Sequence, residues 1–122
     1  QMQLVDLDFR LDDEVWLEST IGHSAGHVAV HLQSRNQLAV MCGDLIHSPV
    51  QLAEPNWNCN SDWHIPTAIA TRRKFLEENC ESDRLILTSH FPLPSVGHIV
   101  TGHFGFDFAY VQDRDSRRKA ET

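Results

Sequence analysis

The stretch from Thr20 to Asp44 constrains this chain most. It opens Thr20-Ile21-Gly22-His23-Ser24-Ala25-Gly26-His27 and closes Met41-Cys42-Gly43-Asp44. Two apolar runs lie between, Val28–Leu32 and Leu38–Met41, with Ser34-Arg35-Asn36 joining them. Runs this short, separated by turn-forming residues, read as a β-hairpin. An antiparallel pair returns the chain to its starting end, so His23 and Asp44 come out at one edge of a sheet. Ligands carried on loops and held by rigid strands are the usual way to build a metal site.

The remaining chain fits around that hairpin. Val5, Leu7 and Phe9 alternate with Asp6 and Asp8, which predicts a strand within residues 3–10. Leu11-Asp12-Asp13-Glu14 reads as a turn, and Val15–Ser19 as a second strand leading into the His23 loop. Along Val28–Leu32, the valines and Leu32 share one face while His27, Ala29 and His31 share the other, with His31 half-exposed. Leu45 to Asp62 carries Pro49, Pro55 and Trp57 and reads as a long irregular loop of the kind that lines a site. The one clear helix spans 65–80. Pro66 stands in its first turn, Ala68, Ile69, Phe75, Leu76 and Cys80 form its apolar side, and Arg72, Arg73, Lys74, Glu77 and Glu78 lie mostly outside. A strand over 84–89 then delivers His90, and residues 97–101 and 104–110 suggest a closing hairpin.

Several spaced motifs agree in order. They are Gly22-His23-Ser24-Ala25-Gly26-His27, Gly43-Asp44-Leu45-Ile46-His47, Gln51-Leu52, Pro55-Asn56-Trp57, Thr71-Arg72-Arg73, His90-Phe91-Pro92-Leu93-Pro94 and Gly97-His98. Over roughly residues 14 to 108 they resemble the C-terminal half of the metallo-β-lactamase superfamily, on the branch of methyl parathion hydrolase and related lactonases and esterases. The resemblance implies an α/β (α+β) fold: half of an αβ/βα sandwich, a mixed, largely antiparallel sheet with one main helix. It implies that His23 and His90 bind metal and that Asp44 bridges two metals as the catalytic carboxylate. His27 would brace the site rather than bind, and His47, Trp57 and Phe91 would form its outer shell or pocket wall.

The implied activity is hydrolysis of a lactone, carboxylic ester or organophosphate triester, a small-molecule substrate, by metal-bound hydroxide. Imidazole and carboxylate donors without thiolate suit a divalent cation, zinc foremost, with manganese, iron or cobalt as alternatives. The superfamily's H-x-H-x-D-H motif is absent, since no two of the eight histidines are two apart. Four further ligands of a two-metal site would therefore come from an N-terminal half, and the start at Gln1 suggests a chain cut mid-sequence. The alternative is a non-catalytic, vestigial module with partial or no metal binding. Half of a sandwich leaves the inner sheet face bare, so that face should be covered by the missing half or by a second copy.

Composition narrows the partners. A net charge of −7, from 17 acidic and 10 basic residues, argues against nucleic acid. Three cysteines without a C-x-x-C read as reduced thiols, with Cys42 a small core residue. The absence of a signal peptide or any apolar run near ~20 residues predicts a cytoplasmic protein with no membrane contact. Residues 1–110 form one domain, and 111–122, with Arg114, Arg117, Arg118 and Lys119, a polar tail.

Overall fold

The computed structural model describes residues 2–112. The predicted tail lies mostly outside them, its basic cluster entirely so. Six strands form one sheet in sequential order: β1 (Val15–Ser19), β2 (Val28–Ser34), β3 (Gln37–Met41), β4 (Leu85–Leu87), β5 (Val96–Gly102) and β6 (Gly105–Tyr110). All neighbours pair antiparallel except β3 and β4, which run parallel. A 3₁₀ turn (Gly43–Leu45), a short helix α1 (Val50–Ala53) and the main helix α2 (Ile65–Asn79) fill the crossover between those two strands. This is the mixed sheet with one main helix that the sequence predicts.

The β2–β3 hairpin turns on Arg35 and Asn36, both at positive φ (50° and 63°). Two successive left-handed residues match the twist of the strands they join. Register then sorts the side chains. His31, Val40 and Ile86 stand opposite one another on one face, with Ala29, Ile99 and Phe108 beside them. Phe75 and Leu76 of α2 join this face in the buried core, which also holds Cys42, Leu45, Ile46 and Leu52. The other face carries Val28, Val30, Leu32, Ala39, Leu85, Leu87 and Val96, all only half-buried, and Met41, which is exposed. A cavity of about 1070 Å³ lined by Leu32, Ala39, Leu85 and His98, among others, is also present. An apolar sheet face without full cover is what half of a sandwich presents.

Four local expectations need correction. Residues 3–10 do not form a strand. Phe9 closes a turn onto Asp6 (3.1 Å) and only Arg10 makes a bridge, to Trp16. Val5 and Leu7 of the alternating face are 43% and 36% exposed, so the pattern has little to pack against. Within 45–62, α1 interrupts the loop and places Gln51 and Leu52 in the interior. His31 is buried rather than half-exposed, because Glu18 bonds its ring and Trp16 stacks on it at 5.2 Å. Arg72 is not on the outside of α2 but is 1% exposed, for reasons given below. The exposed Lys74–Glu78 pair does form, at 3.7 Å, and contributes only about 0.3–0.5 kcal/mol.

Candidate metal centre

Three loops meet at one edge of the sheet. β3 and β4 run parallel, so both end at that edge, and the residues after them emerge side by side. Asp44 follows β3 and His90 follows β4. β2 runs the opposite way, so the loop entering it, with His23 and His27, opens at the same edge. His47 comes from the chain beyond the 3₁₀ turn.

His90 Nε2 lies 2.7 Å from Asp44 Oδ1, and His23 Nε2 lies 3.4 Å from Asp44 Oδ2. The His47 ring sits between the two imidazoles, 4.8 Å from that of His23 and stacked 5.1 Å from that of His90. Donor atoms of Asp44, His47 and His90 fall within 4.8 Å of one another, as do those of His23, His47 and Asp62.

His27 is fully committed elsewhere. Its Nε2 accepts the Asp44 backbone N–H at 3.0 Å, which puts the ring proton of the neutral form on Nδ1. That nitrogen faces the Thr20 hydroxyl at 2.8 Å and the Thr20 carbonyl at 3.2 Å. Burial pushes the His27 pKa down, which favours this neutral, bridging form. The bridge needs a glycine at position 43. A Cβ there would lie 2.8 Å from His27 Nε2, and the backbone sits at φ +55°. Gly22 is equally constrained, since at φ +141° a Cβ would meet the Ala68 Cα at 2.4 Å.

The electrostatics favour the ionised form of Asp44 and the neutral form of His47. The hydrogen bond from His90 holds the Asp44 carboxyl below the usual range, so it is ionised at neutral pH. Burial lowers the His47 pKa, which favours its neutral ring. Its Nδ1 is buried without a hydrogen-bond partner. Cys42 stands apart: burial raises its thiol to about 12, which removes it from the donor set.

Phe91 is buried against Phe108 at 5.0 Å, whereas Leu93 is 90% exposed. Trp57 is 58% exposed, while its carbonyl is held by Arg72 (2.8 Å) and Gln51 (3.0 Å). Asp62 and Arg72 were not among the expected site residues. Asp62 Oδ1 lies 3.0 Å from His23 Nδ1, and Asp62 Oδ2 lies 3.7 Å from the Arg72 guanidinium. A signal for Arg72 exists in the sequence. It falls on the same helical stripe as Ala68, Phe75, Leu76 and Asn79, and a buried arginine demands acceptors.

No family model matches the chain, and no curated protein does. Solved structures do. AidC, a dizinc quorum-quenching lactonase in complex with a product homoserine, is 27% identical, with a TM-score of 0.83 over 91% of this chain and 38% of its own. AbOPH, a hydrolase in the β-lactamase superfamily, is 24% identical, with a TM-score of 0.79 over 85% of this chain and 36% of its own. An N-acyl homoserine lactone hydrolase with its product bound at the catalytic metal centre is 15% identical, with a TM-score of 0.59 over 73% of this chain. The chain has the fold of the metallo-β-lactamase superfamily. Its resemblance runs to the lactonase-like branch, and it spans 38% of the length of the dizinc lactonase. Among the described residues, no helix is long and apolar enough to cross a membrane.

Proposed function

We propose that this chain supplies half of the metal centre of a hydrolase acting on a lactone, carboxylic ester or organophosphate triester. The observation that carries the reading is the convergence of His23, Asp44, His47 and His90 at one sheet edge, with the His47 Nδ1 buried and unpartnered. A nitrogen left without a proton partner in such surroundings costs stability unless a ligand fills the gap. Oxygen and nitrogen donors without thiolate fit zinc, with manganese, iron and cobalt as alternatives.

Asp44 would hold metal with His90 and His47 on one side and His23 on the other, and His27 fixes the Asp44 backbone. A bound divalent cation supplies Lewis acidity and lowers the pKa of a coordinated water towards 7. The chain's own part is to present the ionised Asp44 carboxylate and the neutral His47 ring, with the His23 and His90 nitrogens beside that carboxylate. Trp57, Trp63 and Leu93 are exposed, and apolar groups of this kind at the rim would suit a hydrophobic substrate. The lactonases among the similar structures bind acyl-homoserine products, which supports the lactone class.

The test is turnover of a lactone, a p-nitrophenyl ester and a phosphotriester by the zinc-loaded chain. Hydrolysis removed by chelator, restored by zinc and reduced at least about 100-fold in Asp44→Ala supports the reading. Hydrolysis indifferent to chelator contradicts it. A second reading, a non-catalytic module, draws on the openness of the rim, where the Asp44 and His90 side chains are 43% and 46% exposed. Zinc uptake without turnover of any of the three substrates would favour it.

A further inference from the structure

Behind the rim lies a charged pair that the metal reading does not use. The Asp62 and Arg72 side chains are each 1% exposed. Arg72 reaches out of α2 and donates to the carbonyls of Leu45 (3.1 Å), Pro55 (2.8 Å) and Trp57 (2.8 Å). It therefore pins the loop that carries Asp62. The chain beside Asp62 is also fastened to the His23 loop: Trp63 N–H donates to the His23 carbonyl and His64 N–H to the Gly22 carbonyl, both at 3.0 Å.

The two Asp62 oxygens face different ways. Oδ2 accepts the Cys59 N–H at 3.2 Å and faces Arg72, while Oδ1 meets His23 Nδ1 at 3.0 Å. A buried carboxylate cannot donate when ionised, so the proton on this contact belongs to His23 Nδ1. That leaves the Nε2 lone pair facing Asp44. A neutral imidazole in water carries its proton mainly on Nε2, the wrong tautomer for ligation through that nitrogen. A carboxylate on the far nitrogen reverses the preference, fixes the ring plane and raises ligand basicity.

We propose that Asp62, buttressed by Arg72, is the positioning residue that sets the tautomer and orientation of His23 for metal binding through Nε2. The inference rests on the metal-centre reading. Asp62 could instead be a ligand, since its carboxylate lies near His23 and His47. Against that, its oxygens are already satisfied and its charge is matched by Arg72.

The experiment is zinc titration by calorimetry of the 122-residue chain, Asp62→Asn and His90→Ala, with nitrogen NMR of the His23 ring. The asparagine variant keeps size and an acceptor, so it should fold, and a melting curve checks this. The expected results are a protonated Nδ1 and a bare Nε2 in the metal-free wild type, a zinc-induced shift of Nε2, and affinity about 10- to 100-fold weaker in Asp62→Asn at unchanged stoichiometry. A proton on Nε2, or affinity within about twofold of wild type in Asp62→Asn, overturns the inference alone, provided His90→Ala weakens binding. Lost stoichiometry in Asp62→Asn makes Asp62 a ligand and also overturns it. A wild-type chain that takes up no zinc overturns the metal-centre reading and this inference with it.

Discussion

Two polar clusters share one edge of the sheet, and they are built on opposite terms. In the inner cluster, Arg72, Asp62, Gln51 and Thr20 are sequestered from water and matched donor to acceptor. In the outer one, Asp44 and His90 are more than two-fifths exposed and His47 keeps an unpartnered nitrogen. Buried charge survives only when it is paired and hydrogen-bonded, so the inner cluster is committed to shape. The rim leaves donor capacity unspent, which is what a ligand requires. Polar residues a few ångströms apart thus serve either rigidity or binding, and substitutions should separate the two.

Arg72→Met should have the largest effect on folding. It removes the charge that faces the buried Asp62 carboxylate and the guanidinium donor from the Leu45, Pro55 and Trp57 carbonyls, at a cost of about 3–5 kcal/mol, read as a shift in urea unfolding. His27→Ala should cost less, about 1–3 kcal/mol, because the half-buried N–H of Asp44 loses its acceptor. Its zinc affinity should fall as well, and unchanged affinity would show that the bridge to Asp44 serves folding alone. Asp44→Asn should sharpen the contrast from the other side. At a 43% exposed position it should alter stability by no more than about 0.5 kcal/mol, yet remove most zinc binding in calorimetry. Equal stability losses in Arg72→Met and Asp44→Asn would erase the distinction between the clusters.

A remote pair offers a smaller check. The hydrogen bond from His31 lowers the Glu18 pKa from 4.5. Because the folded value lies below the unfolded one, this pair's contribution is present above about pH 4.5 and is lost as pH falls through the folded value. Urea midpoints between about pH 3 and 6 should therefore fall less steeply with acid in His31→Gln than in wild type. Identical slopes would remove the pair from the acid limb.

Legibility in the sequence followed the range of the interactions involved. β1, the β2–β3 hairpin, α2 and the β5–β6 hairpin are marked by local periodicity and turn residues, and they lie close to where the pattern puts them. The meeting of His23 and Asp44 was legible from hairpin geometry, and that of His90 with them from the family resemblance, because nothing local marks β3 and β4 as parallel. Residues 3–10 misled because alternation supplies a face but not a neighbour to cover it. Asp62 was not singled out, because its link to His23 spans 39 positions and depends on a helix packing behind the loop. Arg72 was placed outside by residue type, although its spacing puts it on the buried stripe. His47 lay within a recognised motif, but only the fold shows it between two other imidazoles.

The most direct test is the metal content of the purified chain after size exclusion, measured beside His90→Ala. The account predicts about one divalent ion per wild-type chain and a clear loss in the variant. No metal in the wild type, or equal metal in both proteins, would contradict a centre built on these residues.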